Sequence, residues 1–147
     1  MAVAPAAEDP HRKDIYAWED SWYEWNCNTC SLADCRRVIR KACARYGVPA
    51  PRVRQHPLTA TYSIPLYGVV SLQSSGRTPE RGGKNYPVAL HEAAHIIVHH
   101  RHPRAQDHGP TFLGIYMWLL ELNKIAPPVA LHASARKHNL HWKIEAP

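Results

Sequence analysis

Apolar residues recur along this chain in two rhythms, and the change of rhythm marks out its elements. From Asp14 to Trp25, Ile15, Trp18, Trp22 and Trp25 return at steps of three and four, the stripe of a short helix. Such a stripe docks on a core. As a base-stacking platform it would set Glu19, Asp20 and Glu24 against phosphates. Ser31 with Asp34 opens a second helix running to about Tyr46, where Gly47 stops it; Val38, Ile39, Ala42 and Cys43 supply its packing side. Between Arg52 and Leu72 the period shortens. Arg52 to Gln55, Thr59 to Ile64 and Tyr67 to Leu72 predict two or three short strands in a small antiparallel sheet, with Pro65 at an edge or turn.

The helical rhythm returns at Leu90–His100, LHEAAHIIVHH, preceded by a capping Asn85 and by Pro87 in a first turn. Leu90, Ala93 and Ile97 are apolar, and Val88, Ala94 and Ile96 fill other sides, so the helix is predicted to be buried. Pro110 begins another buried helix with two stripes: Phe112, Ile115, Tyr116, Leu119 and Leu122, then Leu113, Met117 and Leu120. Pro127 and Pro128 start a last one to about Lys137. The pattern predicts an α+β fold: a small sheet packed with four or five helices. Residues 1–13, Ala/Pro-rich and then charged, read as a disordered tail, and 14–147 as one domain.

Chemistry enters with His91, Glu92 and His95. On a helix a four-residue step advances little more than one turn, so both imidazoles share a face and can grip one Zn²⁺. Glu92 is then near enough to take a proton from water at the metal. A catalytic zinc takes three protein ligands. A glycine at position 98 and a histidine at position 101 would supply the tight spacing of one zincin class, but Val98 and Arg101 stand there. His99, His100, His102, Asp107, His108 and Glu121 remain as candidates. His99 lies too far along a straight helix to share the ion comfortably with His91. His108 sits in a loop that lets the chain turn back to the metal.

At His108 to Phe112, HGPTF, the text resembles the SprT-like zincins, the Spartan-type proteases of DNA–protein crosslinks. That family pairs His-Glu-x-x-His with a later His-Gly-Pro-x-Phe; His91, Glu92, His95 and His108–Phe112 match residue by residue. The resemblance covers about residues 31–124. It implies a compact zincin-like domain, a zinc metallopeptidase with His91, His95 and His108 as ligands and Glu92 as general base, acting on a protein or peptide substrate. The small size and unusual flanks suggest a phage or bacterial relative. Two rivals stand beside it: a repressor-cleaving regulatory protease resembling the ImmA/IrrE group, favoured by a glutamate ligand in place of His108, and a non-catalytic, zinc-stabilised DNA-associated module.

Charge and cysteines change the picture less. The formal net charge of +6 suits a phosphate-rich partner such as DNA. Arg36, Arg37, Arg40, Lys41 and Arg45 on the second helix, and Arg77, Arg81 and Lys84 on the loop before the metal helix, are the candidate contacts; a merely solvated basic surface is the alternative. Cys27, Cys30, Cys35 and Cys43 read mainly as reduced, partly buried thiols. Cys35 and Cys43 would lie roughly 12 Å apart along their helix, so they cannot share an ion. A second, structural zinc at Cys27, Cys30 and Cys35 would need an outside ligand. No signal-peptide pattern or membrane span is read, which predicts a cytoplasmic protein with no membrane partner.

Overall fold

Two capped helices and a buried strand fix the frame. The computed structural model describes residues 9–23, 30–56, 61–73 and 85–147. Among them, helix α1 spans Arg12–Tyr23 and α2 Leu32–Arg45. Ser31 caps α2 through a full capping box: its hydroxyl accepts from the Asp34 amide, and the Asp34 carboxylate accepts from the Ser31 amide. Gly47, at φ +66°, turns the chain out of the helix. Strands β1 (Arg52–His56), β2 (Tyr62–Ile64) and β3 (Val69–Gln73) follow, then α3 (Tyr86–Arg101), α4 (Pro110–Leu122) and α5 (Pro128–Lys137). The fold is α+β.

The sheet differs from the antiparallel one expected. Its order is β1-β3-β2, with β2 antiparallel and β1 parallel to β3. The reason lies in burial. Val69, Val70, Ser71 and Leu72 are all buried, the near-continuous apolar text of a strand covered on both faces, so β3 takes the centre. Pro65–Tyr67 form a 3₁₀ turn, and Gly68, left-handed at φ +61°, folds three-residue β2 back along β3. β1 is left the other edge, where Val53 faces Val70 in register.

Helix α3 runs through the middle. Every residue from Pro87 to Val98 is buried, and α3 packs on α2, α4 and β2. Asn85 accepts from the Val88 amide, as the capping pattern predicts. Helix α1 does dock by its stripe: Ile15, Trp18 and Trp22 are buried, and Trp18 meets Trp22 and Tyr116 edge-on while its indole N–H donates to Ser134 Oγ at 2.9 Å. Trp25 and Glu24 lie outside the described residues. The C-terminal segment lies across α4, so close that a Cβ on Gly114 would stand 1.6 Å from the Lys143 carbonyl oxygen. Leu122, expected in an α4 stripe, is partly exposed at the helix end. Among the described residues no helix is long and apolar enough to cross a membrane. The tail expected over residues 1–13 must be shortened, because Asp9 packs against His108 and α1 has begun by Arg12.

Candidate metal centre

Three histidines meet at one point. His91 and His95 project from the same face of α3, one turn apart. After His102 caps the helix, two tight turns, closed by Ala105 N–H to His102 O and Gly109 N–H to Gln106 O, bring the chain back. His108 enters there, just before Pro110 opens α4. The Nε2 atom of His91 lies 3.2 Å from that of His95 and 3.3 Å from that of His108. Two ligands held tetrahedrally at about 2.0–2.1 Å from one ion would stand about 3.3 Å apart. The ring of Phe112 stacks on His95 at 4.5 Å and meets His91 and His108 edge-on at 5.1 and 5.0 Å, a common apolar floor beneath the trio.

The outward nitrogens explain the inward ones. His91 Nδ1 lies 3.0 Å from Glu19 Oε2, His95 Nδ1 3.3 Å from Asp107 Oδ1, and His108 Nδ1 is bonded to Asp9. An imidazole beside a carboxylate donates its Nδ1–H, which leaves the Nε2 lone pair pointing the other way. Three lone pairs then converge in a buried space, an arrangement that repels itself until a cation or a proton is shared among them. The donor set therefore fits a metal ion such as zinc.

Proton affinities in the trio divide accordingly. Burial opposes charge on His91, yet Glu19, Glu92 and Asp107 outweigh it and hold its pKa at about 9. His108 goes the other way: burial, with the neighbouring charges of His95 and His91, pushes it down to about 4 despite Asp9. Its hydrogen bond to His95 brings Asp107 down to about 2. Glu92 is buried beside His91 and bears electrostatically on it and on Tyr16.

Of the remaining candidate ligands, all but Asp107 go elsewhere. His99 and His100 pack on each other, His102 faces Glu145, and Glu121 is bonded to His132. Tyr116, from the first stripe of α4, is fully buried and donates to Glu19 Oε2 at 2.6 Å. Glu19, Asp9 and Tyr16 join the site without having been singled out for it, and Asp107, a candidate ligand, joins it as the partner of His95 Nδ1. Tyr16, partly exposed, sets its ring against His91 and His108. Glu19 could have been found: it falls inside the Ile15–Trp18–Trp22 stripe, where an acidic residue signals a buried carboxylate in need of a partner.

Among the described residues, the basic candidates are not gathered at the histidine trio. Arg36 Nε donates to the Val53 carbonyl, Arg37 pairs with Asp34 and Arg45 lies over Trp118, while Arg40 and Lys41 are exposed. Arg77, Arg81 and Lys84 lie outside the described residues, as does Cys27. The Cys30 and Cys35 sulfurs stand 3.3 Å apart at the start of α2, whereas Cys43 is buried alone and its thiol is pushed up to about 12. No family model, curated protein or solved structure matches the chain.

Proposed function

We propose that this protein is a zinc-dependent metallopeptidase of the SprT-like kind, with His91, His95 and His108 as ligands. The observation that carries the reading is the convergence of three Nε2 atoms beside a buried glutamate that immediately follows a ligand. When bound, zinc would supply Lewis-acid polarisation of water and of the scissile carbonyl. Glu92 takes the proton of the attacking water and delivers it to the departing amine, the general acid–base role that its place beside His91 allows. Glu19, Asp107 and Asp9 hold the three imidazoles in the tautomer that presents Nε2. Phe112 keeps the far side of the rings dry. Tyr16 and Asp107, the exposed members of the group, mark the side from which a substrate arrives.

DNA-associated proteins are the substrate class we favour, since exposed Arg40 and Lys41 and a net charge of +6 suit a polyanion nearby. The repressor-cleaving rival loses its discriminating feature, because Glu121 is engaged by His132. A second reading has an observation behind it: each ligand histidine is no more than 8% exposed, which favours a metal that stabilises a binding module without turnover. Cleavage of casein and of a DNA-bound protein by the zinc-loaded chain, with and without single-stranded DNA, separates the two. Hydrolysis by the wild type that Glu92→Gln lacks supports the peptidase; no hydrolysis by either, with zinc bound, supports the module.

A further inference from the structure

Two of the three carboxylates that face the histidine Nδ1 atoms come from one short segment far away in sequence. Asp9 and Glu19 reach His108 and His91 across 99 and 72 residues, from just before α1 and from within it. We infer that Asp9 and Glu19 are positioning residues of the metal centre, so that docking of the N-terminal segment and metal binding are one coupled event. The inference rests on reading the histidine trio as a metal site and goes beyond it, since neither residue belongs to the two motifs that carry that reading.

Glu19 is 4% exposed and lies on the apolar stripe of α1, between Trp18 and Trp22. A carboxylate buried there is costly unless it is well partnered. Two of its partners are at the site: the His91 ring and the Tyr116 hydroxyl, the latter 2.6 Å away. Tyr116 thus aims the carboxylate, and the carboxylate aims the imidazole. Asp9 treats His108 in the same way from the other end of the segment. The segment is no loose cover, because Ile15, Trp18 and Trp22 anchor α1 in the core and Trp18 is tied to Ser134. An anchored helix with an inward carboxylate suits positioning, which demands fixed geometry. Carboxylates that hold ligand histidines typically change metal affinity about 10–100-fold when removed.

The test uses the full chain. Zinc affinity is measured by competition with a chromophoric chelator, and the Co²⁺-loaded protein supplies a d–d spectrum that reports ligand geometry. Glu19→Ala and Asp9→Ala should each weaken zinc binding about 10–100-fold and alter the Co²⁺ spectrum. Glu19→Gln keeps an acceptor for His91 Nδ1–H, so it should recover part of the affinity. Asp14→Asn, an exposed charge change on the same helix, should leave affinity and spectrum unchanged. If Glu19→Ala does not fold, Glu19→Gln and Asp9→Asn decide the matter. Wild-type affinity and an unaltered spectrum in the folded Glu19 and Asp9 variants would overturn the inference while leaving the metal centre intact. A wild type that binds neither ion would overturn both.

Discussion

Helices α1 and α2 are both amphipathic, and they use charge in opposite ways. On α2 the buried face is wholly apolar, Cys35, Val38, Ile39, Ala42 and Cys43, and its arginines and lysine are all exposed. On α1 one carboxylate, Glu19, is turned inward among tryptophans to meet a histidine. A charge left in water is weakly coupled to its surroundings and can be changed at little expense. One taken inside must be matched, and whatever matches it becomes bound to its position. By this contrast, the charge of α1 belongs to the histidine trio and that of α2 to the outer surface.

The sharpest way to break the contrast is to loosen α1. Trp18→Ala should cost about 3–5 kcal/mol, the usual penalty for emptying a large aromatic site, and should also lower zinc affinity through Glu19. Denaturant unfolding and chelator competition on the same variant check both parts. A destabilised variant with undiminished affinity would detach α1 from the site.

Next in size is the ligand set itself. His108→Ala should lose tight zinc binding, whereas Glu121→Ala should retain it, as zinc content after dialysis will show. The reverse result would move the third ligand to α4.

Much of this could be read in advance. Asn85, Pro87, Ser31 with Asp34, Gly47 and Pro110 mark element ends by local chemistry, and the structure uses each of them there. His91, His95 and His108 were legible as a group because a helical step and a return loop are short-range facts. Sheet direction was not legible: which strand takes the middle depends on burial of both faces of Val69–Leu72, a property of the whole fold. The carboxylates escaped for a related reason. Asp9 and Glu19 are distant from their histidines in sequence, and nothing local distinguishes an acid that will be buried from one that will not, except its apolar neighbours.

Protons offer a subtler test of the buried side. Without metal, the folded chain holds on His91 a proton that the unfolded chain releases above about pH 6.5. That contribution to stability is fully present below about 6.5 and is lost as pH rises through about 9. His108, pushed down to about 4, acts in the opposite sense: its contribution is present above about 6.5 and is lost as pH falls toward about 4. Stability of the metal-free protein attributable to this pair should therefore peak near about pH 6.5. Thermal melts of metal-free wild type against His91→Phe and His108→Phe across the range check the shape. In the same vein, zinc binding near about pH 7.5 should release about one proton, measured by calorimetry in buffers of different ionisation enthalpy.

The smallest effects belong to α2. Arg40→Ala with Lys41→Ala should change stability by no more than about 0.5 kcal/mol and leave zinc affinity alone. If the basic face meets DNA, the same pair should weaken binding to any sequence and flatten its salt dependence, since each lost phosphate contact removes one released counterion. Filter binding over a salt series on the double variant decides it, and an unchanged slope would make this face a solvated surface only.

Whether the metal sits on the histidines is tested most directly by zinc-edge X-ray absorption on the zinc-loaded full chain. Three imidazole nitrogens at about 2.0–2.1 Å and no sulfur are the expected result. A shell of sulfur at about 2.3 Å would contradict it, placing the ion at the paired thiols of Cys30 and Cys35 instead.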